Sequence, residues 1–259
     1  MKILIGSQAM SRYPYFKDRT TKDFDYFSDK KIPGADTYYH PKLEEYEFWK
    51  DSERVASIDE LYTIKVSHIF WDLKNKSWDK HASDIMKFQD FGNAELIPDL
   101  YKLLYSIWEE RYGTKKANLS QMANNFFDDA VNRKYVHDSI HASVAYYDAP
   151  LYERILADGE EVKVDRSKFD VLSYEDKLKL VREEVYATAL ERIIIPSNYT
   201  YNPRRAYNWA LRRTVTSLAR GWFAMFIVEN LRQLWRPDCD YVQRHLDNKD
   251  KLILLENEK

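Results

Sequence analysis

A single cysteine, Cys239, stands among 259 residues, so no disulfide can close within the chain and no cysteine-rich zinc site can form. That scarcity points to a reducing, intracellular setting. No window approaches the roughly 18 uncharged apolar residues of a membrane span. The opening MKILIG is too short for the apolar region of a signal peptide. The expectation is therefore a soluble, cytoplasmic protein without a membrane partner. Neither sign of charge dominates: 40 Lys and Arg meet 42 Asp and Glu, a net charge of −2. This balance excludes a general electrostatic pull on nucleic acid and leaves only local basic patches for that purpose. With six glycines and eight prolines, the chain shows neither a low-complexity linker nor an internal repeat.

What is abundant is apolar and aromatic. Hydrophobic residues make up 44% and aromatics 15%, including 20 Tyr and 7 Trp, enough for a real core in one sizeable domain or two small ones. The first fifty residues read as short strands and turns: KILI as a buried strand, KDFDYFS as an alternating one, KKIPGAD as a turn, then ADTYYH and EEYEFWK as further strands. From Ser57 the period becomes helical. Ser57 and Glu60 form a capping box, followed by a helix to about Leu73 and a second through WDKHASDIMKFQ. A third helix is expected to end at Gly113, and further helices fill LSQMANNFF onward, the stretch after Ser173, and RRAYNWALRR to LW. The fold class is α+β, a small mixed sheet at the N-terminus carrying a mostly helical body, divided as residues 1–92 and 93–259.

One chemical oddity sits in the sheet region. Gly6 and Ser7 follow an apolar strand directly, and fifteen residues beyond the serine come Asp23 and Asp25, one residue apart. Both aspartates point to the same face if their segment is a strand, and like charges there repel. A cation relieves them. Glycine followed by a small hydroxyl residue lets backbone amides approach a phosphate, and two carboxylates on one face can hold Mg²⁺. The plainer reading puts Asp23 and Asp25 on a solvated edge strand beside Lys17, Arg19 and Lys22.

LIGSQA followed by DFDYF resembles the nucleotidyltransferase superfamily with the polymerase β-like fold, in particular its minimal, toxin-type and abortive-infection-type members. The resemblance covers roughly residues 1–90 and implies an enzyme that moves a nucleoside monophosphate from an NTP to an acceptor. It implies Mg²⁺, with Mn²⁺ as the alternative ion, held by Asp23 and Asp25. A third carboxylate normally lies on a later strand; Glu47 in EYEFW is the best match, with Glu45 as competitor. It further implies that Gly6, Ser7, Lys65 and Lys80 contact the nucleotide, and that Asp84 anchors the lysine or a base. Lys65, His68 and Asp72 share one helix face, and Lys80 and Asp84 share another. His81 stands where the family segment usually has an aspartate. The resemblance leaves the acceptor open among RNA ends, small molecules and proteins, and the style of the sequence is that of a phage or mobile-element protein.

A second constellation lies in YVHDSIH. His137 and His141 are four apart with Asp138 beside the first, and Glu184 is available from a later helix. Such a set can bind a divalent ion between helices, the basis of an alternative reading as a nucleotide phosphohydrolase, weakly similar to the HD-type enzymes. The same histidines also read as ordinary surface or hydrogen-bonded residues. Arg204, Arg205, Arg212, Arg213 and Arg220, with Tyr207 and Trp209, suit nucleic-acid contact, but an amphipathic core helix with its arginines in solvent explains them more simply. A third reading keeps the transferase fold as a nucleotide-binding module without catalysis.

Overall fold

A computed structural model describes residues 1–17, 22–71, 75–90, 94–127, 152–153, 163–164, 166–189, 202–217 and 222–235, together with Ile193, Ser197 and Thr200. By contacts the chain forms two compact units, Met1–Lys116 and Ala117–Lys259. The first thus extends past residue 92 to take in the opening turns of the helix that begins at Pro98.

In the first unit KILI forms β1 (Lys2–Ile5), at the centre of a four-stranded sheet with β2 (Asp25–Ser28), β3 (Asp36–Tyr38) and β4 (Glu53–Val55), in the order β3-β2-β1-β4. β1 runs antiparallel to β2 and parallel to β4, and β2 runs parallel to β3. Register pairs Ile3 with Phe27, Ile5 with Asp25, Phe27 with Tyr38 and Asp25 with Asp36. Because side chains alternate, these residues share one face. Its inner part is aromatic: Phe27 is buried and meets the rings of Tyr38, Trp49 and Trp108. The connection between parallel β2 and β3 is only residues 29–35, where parallel neighbours ordinarily need a crossover of a dozen or more. Gly34, at φ 73°, turns that loop.

Two expectations for this region need correction. KDFDYFS yields a shorter strand that starts at Asp25, so Asp23 precedes the sheet and is exposed. EEYEFWK is not a strand. His40 caps Pro41–Glu45 as a 3₁₀ turn, accepting from the Lys42 N–H at 3.3 Å, and proline suits the first position of such a turn. A further turn through residues 47–50 carries Trp49 into the core, and it leaves Glu47 exposed.

Helix α1 (Gly6–Met10) follows β1 without a linker and buries Ser7, Ala9 and Met10. Helix α2 (Ile58–Ile69) begins with the expected capping box: the Glu60 N–H donates to Ser57 Oγ at 3.2 Å and the Ser57 N–H donates to Glu60 Oε2 at 2.7 Å. Glu60 also accepts from Trp49 Nε1 at 2.8 Å and from both Arg54 guanidinium nitrogens at 2.7 and 2.6 Å. Burial pushes its pKa up, but the Arg54 and Ser57 hydrogen bonds outweigh that and leave the carboxyl below its usual range. Helix α3 (Asn75–Asp90) follows, then α4 (Pro98–Phe127). Gly113 does not end α4, since it is not in the left-handed conformation and the good helix formers beyond it carry the helix onward.

The second unit is described in part. Tyr152–Glu153 pairs antiparallel with Lys163–Val164. Ser173 caps the helix Tyr174–Ala189, its hydroxyl accepting from the Asp176 N–H at 3.1 Å. The described residues of the basic C-terminal run include the helices Pro203–Ser217, Trp222–Glu229 and Leu231–Leu234. Leu211 and Val215 are buried as expected, whereas Trp209, Trp222 and Phe226 are half-buried and Phe223 is buried in their stead; Arg204 and Arg205 are exposed, but Arg212 is buried rather than in solvent.

Gly6 has φ 69°, and a Cβ placed there would lie 2.1 Å from Asp25 Oδ2. Gly6→Ala is expected to destabilise the protein by roughly 1–2 kcal/mol through the left-handed backbone alone, with a further loss from the overlap. Urea unfolding should show part of this recovered in Gly6→Ala/Asp25→Ala, where the overlap is gone and the backbone strain remains. An unchanged midpoint in Gly6→Ala contradicts the close approach.

Candidate active site

At its open end the face of the sheet that carries Ile3 and Phe27 meets a cavity of about 500 Å³ within the first unit. Its floor is the carboxylate pair. Asp25 and Asp36 are directly paired on the parallel β2–β3 ladder and both line the cavity, with Gly6 and Ser7 beside them at the start of α1. Burial first pushes the pKa of Asp25 up, and the neighbouring Asp36 charge raises it further, with a smaller contribution from Asp23. Lys65 and Lys80 pull the other way without reversing the shift. Repulsion between the aspartates is therefore present, but its main partner is Asp36.

Cations form the next wall. Lys65 on α2 is 7% exposed, and its Nζ lies 2.9 Å from Asp84 Oδ2 on α3, a residue 1% exposed. A lysine and an aspartate this buried are each tolerable because of the other. Lys80, also on α3, lines the same cavity from an exposed position. Helical spacing alone puts Lys80 and Asp84 on one face, yet the buried carboxylate serves Lys65.

The third wall is aromatic. Trp108 and Tyr112 on α4, Tyr38 on β3 and His68 on α2 line the cavity together. Trp108 lies 5.4 Å from Tyr38 and 5.0 Å from His68 between ring centres, and its Nε1 donates to Ser67 Oγ at 3.1 Å. The Arg111 guanidinium sits over the Tyr38 ring at 4.4 Å. His68 is pulled down to about 4, by burial first and then by the charges of Lys65 and Arg111. It is neutral at physiological pH.

The structure thus gathers Gly6, Ser7, Asp25, Lys65, Lys80 and Asp84 around one cavity. Asp23 reaches it only through its charge, from the exposed segment before β2. Glu47 does not belong to it, because the turn at residues 47–50 faces it to solvent; Glu45, at the end of its 3₁₀ turn, is exposed as well. Asp36 takes the place on a later strand assigned to Glu47. The signal was present in ADTYYH, an expected strand whose first polar residue is a carboxylate. Trp108, Tyr112 and Arg111 carried no motif and were missed. Among the described residues no three His, Cys, Asp or Glu side chains gather as a metal-binding group. His137, Asp138 and His141 lie outside the described residues, and Glu184 belongs to the helix Tyr174–Ala189. No described helix is long and apolar enough to cross a membrane.

A family described as Domain of unknown function (DUF7275) matches residues 60–248. The chain belongs to this family. The matched stretch begins at Glu60 on α2, so it includes the lysine, histidine and α4 walls of the cavity, while the four strands lie before it. No curated protein and no solved structure matches the chain.

Two of these shifts have measurable consequences. A raised Asp25 contributes stability only while protonated, below its unfolded value of about 3.9, and that contribution is lost as pH rises through the folded value. At neutral pH without divalent ions, Asp25→Asn should therefore melt higher than the parent, by roughly 2–4 °C per kcal/mol of repulsion relieved. His68 has the opposite slope: its depressed value gives stability that is complete above about pH 6.5 and is lost as pH falls toward 4, up to about 3 kcal/mol. Denaturant titrations at pH 7 and pH 5 should show a smaller difference in His68→Leu than in the parent.

Proposed function

We propose that the chain is a nucleotidyltransferase, moving a nucleoside monophosphate from an NTP to a nucleophilic acceptor. The observation that carries this reading is the meeting of a paired carboxylate floor, Asp25 and Asp36, with Lys65 and Lys80 in one cavity of about 500 Å³. A volume of that order suits a nucleotide. Oxygen donors of this kind suit Mg²⁺ or Mn²⁺, so Asp25 and Asp36 are the residues that would hold the ion, with Asp23 adding negative charge nearby. Such an ion, when bound, neutralises phosphate charge and supplies the relief that the aspartates require. Gly6 leaves room for the Asp25 carboxylate, Lys80 contacts the triphosphate, and Asp84 pairs with Lys65 and fixes it at the edge of the same cavity. In the reaction the acceptor oxygen bonds to the α-phosphorus, the bond to pyrophosphate breaks, and the acceptor proton passes to solvent.

With Mg²⁺ and α-labelled NTPs the parent protein should release pyrophosphate and label an acceptor or itself, and Asp25→Asn or Asp36→Asn should each lose at least about 100-fold in kcat. Lys80→Ala should raise KM more than it lowers kcat, since a contact to the triphosphate serves ground and transition states alike. Lys65→Ala is a poor probe, because it strands the buried Asp84 carboxylate at a cost of about 3–5 kcal/mol in stability. Full activity in both aspartate variants overturns the assignment. Tight NTP binding without pyrophosphate release would make the cavity a nucleotide-binding module instead.

A further inference from the structure

Resting on the nucleotide reading of the cavity, we propose that its α4 side is a nucleobase subsite, in which Tyr112 and Trp108 stack on the base and His68 reads its polar edge.

The cavity is divided by chemistry. Asp25, Asp36, Lys65 and Lys80 come from the sheet, α2 and α3, whereas α4 contributes the rings of Trp108 and Tyr112 together with one cation, Arg111. Tyr38, Trp108, Tyr112 and His68 are joined by direct ring contacts: Tyr38 to Trp108 at 5.4 Å and 33°, Trp108 to Tyr112 at 6.2 Å and 30°, and His68 to Tyr112 at 5.8 Å and 83°. Tyr38 and Tyr112 are each tilted by about a third of a right angle from Trp108, at 33° and 30°, with His68 standing edge-on to Trp108 and Tyr112. Arg111 extends the same surface, its guanidinium 4.4 Å above Tyr38 and 5.2 Å from the Tyr112 ring centre. Flat π-systems stack on such surfaces, and stacking tolerates any base.

His68 supplies the polar element. Its Nδ1 is out of contact with solvent and has no hydrogen-bond partner, although the residue lines the cavity. A buried imidazole nitrogen without a partner costs free energy unless a ligand completes it. Held neutral between Lys65 and Arg111, His68 offers one donor and one acceptor and no charge. That suits an uncharged ring nitrogen or amide-like edge rather than a phosphate. A phosphate has the exposed Lys80 available instead.

Calorimetric titration of the full chain with Mg²⁺ and each of ATP, GTP, CTP and UTP, against tripolyphosphate as the ligand that lacks base and sugar, tests this. NTPs should bind roughly tenfold or more tightly than tripolyphosphate. Tyr112→Ala should remove most of that advantage while leaving tripolyphosphate unchanged, and Tyr112→Phe should keep it, since the ring and not the hydroxyl stacks. His68→Leu should weaken NTP binding and alter the order of preference among the four bases. If NTP binding is indifferent to Tyr112→Ala but a short oligonucleotide loses affinity, the base belongs to the acceptor and the subsite still stands. Nucleoside binding that depends on Tyr112, in a protein with no pyrophosphate release, keeps the subsite and removes the transferase. Equal affinity for tripolyphosphate and NTPs in the parent, equal losses for both in Tyr112→Ala, or no binding of any nucleoside, nucleotide or oligonucleotide overturns the proposal.

Discussion

The Glu60 carboxylate holds the first unit in register. It closes the capping box of α2, receives both guanidinium nitrogens of Arg54 on β4 and accepts from Trp49, whose ring packs on Phe27 in β2. One buried charge therefore joins a strand, a turn and a helix start. Its burial is tolerable only because every partner is present, and removing one partner of such a group costs about 3–5 kcal/mol. The functional consequence lies further along α2. Lys65 and His68 follow Glu60 by one and two further turns, so the angle at which the cap leaves the sheet decides where both enter the cavity.

Electrostatic tension and hydrophobic order lie side by side in the same layer. The face that carries Ile3 and Phe27 in the core and Tyr38 at the cavity wall carries Asp25 and Asp36 at its open end. Alternation along the strands makes this possible, because a strand only three or four residues long passes from core to cavity between one inward position and the next. The carboxylates thereby gain a rigid aromatic foundation, while their mutual repulsion is left for a ligand to relieve. Lys65 and Asp84 illustrate the opposite solution, a pair neutralised within the protein itself.

Local chemistry was legible in the sequence wherever a short pattern decides the backbone. The capping box at Ser57, the strand KILI and the Gly6 turn follow from a few adjacent residues each, and the association of Asp25 with Lys65 and Asp84 followed from a family resemblance. What escaped depended on tertiary choice. EYEFW alternates as a strand should, but a proline at residue 41 and the demand of the core for Trp49 make turns there, which removes Glu47 from the sheet. Asp36 was hidden because its importance comes from register with Asp25, and register is set by a loop rather than by spacing. Trp108 and Tyr112 look like any amphipathic stripe until α4 is laid against the sheet.

The brevity of the link between β2 and β3 makes the spacing of the two carboxylates a discrete quantity. Residues 29–35 return the chain to the start of a parallel neighbour with little slack, and Asp36 is the first residue it delivers. One residue more or less in this tether slides β3 by a single position, and a single position turns every side chain to the opposite face. Asp36 would then leave the cavity, and Asp25 would face Thr37 across a tether one residue shorter or Ala35 across one a residue longer. Natural variation in such a loop should therefore come in even steps, or be absorbed at the Gly34 turn without reaching the strand.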